Sequence, residues 1–282
     1  MAQTRRQFLT TSSLALSGVL LSKHALASFQ LPNDLAHPGI ILNTVSKPME
    51  EDYKHTLIRL AEMGYTHIEG GIYGGDPKSY ARFASDTGLR TFATGDAMHS
   101  LLNDPAKAIR NAEALQAQYI VCYYPYLGSS EHLGRAEGLQ AAANLNKLGL
   151  EFKTAGFTLA WHNHAWEFKD LGTETLFDVI MHNVDPELVK NELDLYWVIK
   201  GNADPVALFK KYPGRFELVH AKDMDYSEGK GMTCLGEGII DFKRIFAHAE
   251  TAGIKRIIIE NEQWTGGLEC AATSIKSFKQ LF

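Results

Sequence analysis

Four segments in the second half of the chain join a strongly apolar run to a side chain that can bind a metal or carry a proton. The residues are His162, Asp194, His220 and Glu260, each at the end of its run. They are spaced roughly 25–40 residues apart, about the length of a strand plus a helix. Parallel strands that each end in such a residue bring these side chains to one edge. The pattern predicts that these four residues bind one divalent metal ion.

The residue types narrow the identity of the metal. Imidazole and carboxylate ligands together suit Mn²⁺, Zn²⁺, Fe²⁺ or Co²⁺ better than Ca²⁺ or Mg²⁺. The alternative is that Asp194 or Glu260 pairs with Lys222 or Arg256, because a buried carboxylate without a partner is unfavourable. Strand alternation puts His162 and His164 on the same side of their strand, so spacing leaves open which of the two is the metal ligand.

A metal of this kind supports proton abstraction next to a carbonyl group. Bound to adjacent carbonyl and hydroxyl oxygens of a sugar, it acidifies the α-C–H and stabilises the resulting enediolate. Reprotonation gives an isomer or an epimer, and loss of a β-leaving group gives the product of a lyase. The candidate acids and bases are, in descending order, Glu260, His164, Glu167, Lys222 and His99. Lys222 could instead hold an oxyanion, or form a solvent-side ion pair with a neighbouring aspartate.

All four tryptophans lie close in sequence to the proposed ligands. Indole rings offer a flat apolar face on which the apolar face of a sugar can stack, so this clustering favours a carbohydrate ligand. The candidate substrate contacts are Trp166, Trp197, Trp264 and His99. Trp161 has the opposite strand parity from His162 and is expected to pack against the barrel exterior.

Eight strands that alternate with helices are predicted to position these residues. Their β-branched, nearly continuous apolar sequences are typical of strands buried on both faces. The predicted strands are Ile40–Val45, His67–Gly70, Arg90–Thr94, Tyr119–Tyr123, Thr158–His162, Val189–Asp194, Phe216–His220 and Arg256–Glu260. Glycines 64, 88, 156 and 253 follow helical segments and are expected to end them before the next strand. The interpretation is one (β/α)8 TIM-barrel domain over residues 28–282.

An open, doubly wound sheet is the competing fold. It usually carries a glycine-rich loop between its first strand and first helix. In this chain that connection reads Val45-Ser-Lys-Pro-Met49. The missing nucleotide-binding loop and the eight strands favour the closed barrel.

Residues 1–27 are predicted to be a Tat-type signal peptide. Thr4-Arg-Arg-Gln-Phe-Leu9 is a twin-arginine sequence, a short apolar stretch follows, and Ala25-Leu-Ala27 resembles a cleavage site. The apolar stretch is too short for a stable membrane anchor. These features predict export to the periplasm by the Tat machinery.

Charge and cysteine content exclude some classes of protein. The net charge is −5, and removal of residues 1–27 would delete Arg5, Arg6 and Lys23 and no acidic residue, giving −8. Such a chain is a poor candidate for binding nucleic acid. Cys122, Cys234 and Cys270 lack the spacing of a zinc cluster. They are interpreted as small apolar residues, of which at most one pair could oxidise in the periplasm.

These motifs resemble the xylose isomerase-like TIM barrels, which include proteins described as sugar phosphate isomerases/epimerases. The likeness covers essentially all of residues 28–282. Its specific segments are Trp161–His164 with Glu167-Phe168, Leu193–Trp197, Asp204-Pro205, Gly214-Arg215, His220–Asp223, Gly236–Asp241 and the strand ending at Glu260. The resemblance implies a metal held by Glu, Asp, His and Glu. The last three correspond to Asp194, His220 and Glu260, whereas His162 replaces the first Glu.

That replacement bears on the reaction. In the epimerases of this family the first and last carboxylates also exchange the substrate's proton, so His162 favours lyase-type or one-base isomerase chemistry over two-base epimerisation. Predicted export favours a non-phosphorylated sugar or keto-sugar, because sugar phosphates are cytoplasmic metabolites. The alternatives are a metal-dependent phosphodiesterase similar to the AP endonucleases, and a non-catalytic periplasmic sugar-binding barrel. The sequence leaves the oligomeric state open.

Overall fold

The computed structural model describes residues 31–262 and 267–282. The predicted signal peptide and Trp264 lie outside these residues. The strands are β1 Gly39–Ile41, β2 His67–Glu69, β3 Arg90–Ala97, β4 Tyr119–Tyr124, β5 Thr158–His162, β6 Val189–Asp194, β7 Leu218–Ala221, β8 Asp223–Met224, β9 Met232–Thr233 and β10 Arg256–Ile259. Eight of them close a parallel barrel in the order β1-β10-β7-β6-β5-β4-β3-β2, and β8 and β9 pair separately as an antiparallel hairpin. The predicted single-domain TIM barrel is confirmed.

Helices cover the outside of the barrel. They are α1 Ser46–Met63, α2 Pro77–Asp86, α3 Met98–Asn103, α4 Pro105–Leu115, α5 Arg135–Thr154, α6 Leu176–Asn183, α7 Leu195–Lys200, α8 Pro205–Lys211, α9 Phe242–Phe246, α10 Ala249–Ala252 and α11 Gly267–Leu281. Short 3-10 helices span Asn33–Leu35, Leu42–Val45, Ser130–His132 and Trp166–Phe168. Among the described residues, none of the helices is both long enough and apolar enough to cross a bilayer.

The barrel strands bury side chains on both faces, as their continuous apolar sequences predict. Small and apolar side chains such as Ala93, Val121 and Ile258 fill the interior, whereas a larger cluster lies between the strands and the helices. Trp161 belongs to that outer cluster, is fully buried, and packs against Phe177 at 5.3 Å between ring centroids. The expectation that it faces away from the barrel interior is confirmed.

The glycines predicted to end helices adopt the left-handed conformation. Gly64, Gly88, Gly156 and Gly253 have φ between 81° and 99°, a region that side chains with a Cβ disfavour. Each begins a short connection to the following strand, so the helix-to-strand joint recurs around the barrel.

Several strand boundaries and one helix differ from the sequence prediction; most carboxyl ends of the strands shift by one to three residues, and β3 extends to Ala97. Residues Leu42–Val45 form a 3-10 helix, because the chain leaves the barrel there and buries Leu42 and Val45 elsewhere in the core. β7 starts at Leu218, two residues later than predicted. The helix predicted over Phe242–Ala249 breaks into α9 and α10.

Cys234 and Cys270 form a disulfide with a Cα–Cα distance of 5.3 Å, and Cys122 is a buried free thiol. The interpretation of all three as small apolar residues is therefore wrong for the bonded pair. The bond links the segment that follows the β8–β9 hairpin to the first turn of α11.

Candidate active site

The predicted ligands lie together at the carboxyl end of the barrel. His162 ends β5, Asp194 ends β6, His220 lies within β7 and Glu260 follows β10 directly. All four side chains are nearly or fully buried. Asp194 Oδ1 also caps α7 by accepting a hydrogen bond from the backbone N–H of Trp197 at 2.9 Å. The strand ends therefore position these residues, as the spacing predicts, while their role as ligands stays a prediction.

The donor atoms form two groups that share His220. In the group we call the outer set, Asp194, His220 and Glu260 have donor atoms within 4.8 Å of one another, and His220 Nδ1 lies 2.7 Å from Glu260 Oε2. The inner set consists of His162, Glu192 and His220. In it, Glu192 Oε2 lies 3.2 Å from His162 Nδ1 and 3.4 Å from His220 Nε2. His162 thus lies with a carboxylate that the sequence analysis did not nominate.

Lys222 is buried within the outer set. Its Nζ lies 2.9 Å from Asp194 Oδ2 and 2.9 Å from Glu260 Oε2, and it also pairs with Glu262. The pairing that the sequence left open between these carboxylates and Lys222 is therefore present, whereas Arg256 begins β10 at the other end of the barrel. A solvent-side ion pair of Lys222 is excluded, because its side chain has no exposed surface.

Glu69 and Glu192 were missed by the sequence interpretation. Glu69, the last residue of β2, is fully buried; its Oε2 lies 3.3 Å from His220 Nε2, and its Oε1 accepts a hydrogen bond from the Tyr123 hydroxyl at 2.8 Å. Glu192 is fully buried two residues before Asp194. The sequence held a signal for both residues, since Glu69 is the next-to-last residue of the predicted second strand and Glu192 shares the strand parity of Asp194.

Burial and neighbouring charges shift the pKa values of these groups in opposite directions. Burial, followed by repulsion from Glu69, raises the pKa of Glu192 to about 8. Burial raises the pKa of Asp194 to about 6 against the opposing effect of Lys222. Burial would also raise the pKa of Glu260, but Lys222 and His220 outweigh it and hold that pKa well below its usual range. At neutral pH Glu260 is therefore ionised, and Glu192 retains its proton in the absence of a metal.

His164 and Trp166 line one side of the site. Their rings stack with centroids 4.4 Å apart, and His164 is 5.7 Å from the ring of Trp197. Burial, followed by repulsion from Lys222, lowers the pKa of His164 to about 4, so its imidazole is neutral at pH 7. Glu167 is fully buried and accepts hydrogen bonds from the His164 backbone N–H at 2.8 Å and the Trp166 indole at 3.0 Å. Glu167 therefore holds His164 and Trp166 in place.

A cavity of about 400 Å³ opens onto this region. Its lining includes His162, His164, His220, Glu260 and Tyr123. This volume is in the range of pockets that bind small molecules. His99 is exposed and lines a separate cavity beside α3 and α4, so the structure places it apart from the other candidates.

The loop after β7 is organised by Asp223. Its carboxylate accepts backbone hydrogen bonds from Gly236, Gly238 and Ile240 at 2.9–3.1 Å. A Cβ at Gly238 would lie 2.2 Å from the carbonyl oxygen of Met224, which explains a glycine there. The Gly236–Asp241 motif thus stabilises a loop next to Lys222 and supplies no ligand.

The sequence matches the family model of xylose isomerase-like TIM barrels over residues 57–281. The chain belongs to this family. The resemblance drawn from its motifs is thereby confirmed at the family level.

Curated relatives include several inosose dehydratases. The protein from Geobacillus kaustophilus is 28% identical over 203 residues, which cover 66% of this chain and 60% of the relative. The protein from Lacticaseibacillus casei is 27% identical over 149 residues, covering 47% of this chain and 49% of the relative. The chain thus spans about half of the length of the curated relatives it matches.

Solved structures share the same barrel. A sugar phosphate isomerase/epimerase from Parabacteroides distasonis superimposes with a TM-score of 0.72 at 24% identity, covering 85% of this chain and 92% of that chain. The IolI protein with a bound zinc atom superimposes with a TM-score of 0.67 at 12% identity, covering 87% and 96%. At these identities the likeness establishes the fold.

Proposed function

We propose that the chain is a metal-dependent lyase or isomerase that acts on a non-phosphorylated sugar or keto-sugar through an enediolate. The observation that carries this proposal is the convergence of two histidines, four carboxylates and Lys222 beneath one cavity at the carboxyl end of the barrel. That end is where enzymes with this fold carry out their chemistry. Membership of the family and the dehydratase names of its curated relatives support the same class of reaction.

The donor set fits a divalent ion. Both sets combine imidazole with carboxylate donors, and Glu192 Oε1 is buried without a hydrogen-bond partner among the described residues. His220 would hold the ion together with His162 and Glu192, or with Asp194 and Glu260. A bound ion would polarise the substrate carbonyl and stabilise negative charge on its oxygen.

Glu260 and Lys222 supply the remaining chemistry. Glu260 lines the cavity and is ionised, so its carboxylate can accept the proton from the carbon next to the carbonyl. The three carboxylates around Lys222 outweigh its burial and raise its pKa above the usual range, so it stays cationic and stabilises the ionised carboxylate of Glu260 from beneath the cavity. His164, neutral and beside the cavity, can donate a proton through its imidazole N–H or accept one.

The arrangement favours elimination or one-base isomerisation over two-base epimerisation. A two-base mechanism needs a second carboxylate facing the substrate across from Glu260. His162 stands at that position of the family pattern, and Glu192 is buried below it, outside the cavity lining. The aromatic rings of Trp166 and Trp197 lie beside His164, where they can contact a sugar.

Proton exchange with solvent tests the reaction directly. Metal-loaded protein is incubated in D₂O with 3-keto-glycosides and free ketoses, and the products are followed by ¹H NMR together with metal analysis. We expect deuterium at the carbon next to the carbonyl, or loss of the β-substituent. The absence of both, or efficient turnover restricted to a sugar phosphate, would contradict the proposal.

Replacement of the proposed base tests its role. We expect Glu260→Gln to lower kcat at least ~10³-fold, because the amide cannot accept the proton. Metal content is measured alongside, since the change also removes a charge from the outer set. Glu113→Gln, on the exposed surface of α4, is the matched control and should retain full activity. Retained turnover in a metal-loaded Glu260→Gln protein would remove Glu260 from the mechanism.

We further propose export by the Tat pathway with cleavage before Ser28. The Cys234–Cys270 disulfide supports this, because such bonds persist mainly in oxidising compartments. Fractionation of producing cells should place the mature protein in the periplasm, and Arg5→Lys/Arg6→Lys should retain it in the cytoplasm. A processed periplasmic protein in the double variant would argue against Tat export.

A further inference from the structure

The two possible metal positions are not equivalent, because the ammonium group of Lys222 already lies in one of them. Lys222 Nζ lies 2.9 Å from both Asp194 Oδ2 and Glu260 Oε2. A divalent ion between these two carboxylates would have to share them with, or displace, a buried ammonium group. Repulsion between cations at such a distance is strong where water is excluded. The outer set is therefore a poor place for a second cation.

The inner set has donor atoms at the separations of ligands around one ion. Glu192 Oε2 lies 3.2 Å from His162 Nδ1 and 3.4 Å from His220 Nε2, and Glu69 Oε2 lies 3.3 Å from the same His220 nitrogen. Ligands that are each ~2.1 Å from a tetrahedral ion lie about 3.4 Å apart. Among the described residues, Glu192 Oε1 also lacks any hydrogen-bond partner although the residue is fully buried.

The second nitrogen of each histidine faces a carboxylate of the outer set. His220 Nδ1 is 2.7 Å from Glu260 Oε2, and His162 Nε2 is 3.7 Å from Asp194 Oδ2. If His162 Nδ1 and His220 Nε2 bind the ion, their remaining N–H groups point at these carboxylates. Metal-binding histidines commonly donate their other N–H to a carboxylate, which sets the tautomer and the ring orientation. The His220 ring satisfies this arrangement with the ion at the inner position, whereas His162 Nε2 faces Asp194 Oδ2 at a distance longer than a hydrogen bond.

We propose that this chain binds its divalent metal through His162, Glu192 and His220, with Glu69 adjacent. The family pattern predicts the outer set instead. This inference rests on the proposed function. Glu260, paired with Lys222, positions the His220 imidazole, and Asp194, paired with the same lysine, lies beside His162. This arrangement also leaves Glu260 Oε1 free of the metal.

A matched pair of carboxylate-to-amide variants tests the assignment. Binding of Mn²⁺ to chelator-treated full-length protein is measured by calorimetry for the wild type, Glu192→Gln and Asp194→Asn. We expect Glu192→Gln to weaken binding about 100-fold or more, because it removes a ligand, and Asp194→Asn to weaken it at least ten times less. Circular dichroism establishes that each variant is folded.

A spectroscopic count of histidine ligands provides a second measurement. In the Cu²⁺-loaded protein, pulsed electron paramagnetic resonance should detect two bound imidazoles, and His162→Gln should reduce the number to one. A single imidazole in the wild type, or Asp194→Asn weakening Mn²⁺ binding as much as Glu192→Gln, would overturn the inner assignment while leaving metal binding intact. A wild-type protein that binds no Mn²⁺ would overturn the proposed function itself.

Discussion

The two ends of the barrel differ in how their charged side chains are buried and paired. At the carboxyl end, carboxylates are buried and paired with Lys222 and His220 at 2.7–3.4 Å. At the amino end, Arg90 and Arg256 line a cavity of about 390 Å³ with His37 and His67. Within residues 31–262 and 267–282, the ion pairs at this end join Lys190 and Lys255 to Glu217, and neither arginine forms an ion pair with a carboxylate.

This difference shows that the unfavourable burial of charged groups is concentrated at the carboxyl end of the barrel. Buried charges are unfavourable unless they are fully paired, so a dense buried cluster points to a site selected for chemistry. Charges at the rim of a barrel remain hydrated and change stability little. The carboxyl end should therefore respond strongly to substitution, and the amino end weakly.

The largest difference in the free energy of unfolding is expected between the variants Lys222→Met and Arg256→Met. Loss of Lys222 leaves the carboxylates of Asp194 and Glu260 without their shared partner, which should lower the free energy of unfolding of metal-free protein by ~3–5 kcal/mol. Arg256→Met should change it by less than ~1 kcal/mol. Urea denaturation measures both. Equal effects would show that the cluster is not held together by Lys222.

Removal of the disulfide is expected to have the next largest effect on the free energy of unfolding. Cys234 and Cys270 are 36 residues apart in sequence, and closing a loop of this size contributes ~3–4 kcal/mol. The double alanine variant should therefore be less stable, and its hydrogen exchange should increase in the loop after β7 but not at the amino end. Cys122→Ala is the control, since it removes a buried thiol without a bond. Uniformly faster exchange would contradict a local role for the disulfide.

Protonation of one histidine at each end of the barrel is expected to have a smaller effect on stability. Burial, followed by Lys222, lowers the pKa of His164 to about 4, and burial, followed by Arg256 and Arg90, lowers the pKa of His67 to about 4. The unfolded chain binds these protons near pH 6.5 and the folded chain does not. Stability should therefore fall as pH decreases from 6.5 towards 4, by ~2–3 kcal/mol for His164 and less for the more accessible His67.

Denaturation of metal-free protein at a series of pH values measures this effect. His164→Gln should flatten the decline more than His67→Gln does. The reverse order would place the more strongly constrained histidine at the amino end and would weaken the contrast between the two ends.

The amino-acid sequence by itself determined the barrel and the strand ends that carry the site. Continuous apolar strands, helix-ending glycines and one polar residue at each of four strand ends are local patterns, so the sequence alone locates His162, Asp194, His220 and Glu260. Their convergence follows from parallel strands that share one carboxyl edge.

Only the tertiary structure decided which of these side chains lie close enough to contact one another. Glu69 and His220 are 151 residues apart and meet because the barrel closes. Lys222 lies between Asp194 and Glu260 through the same closure, which divides the four predicted ligands into two groups. The pairing of Cys234 with Cys270 likewise depends on the docking of α11. Contacts of this kind depend on three-dimensional distances of a few ångströms, which spacing along the chain does not encode.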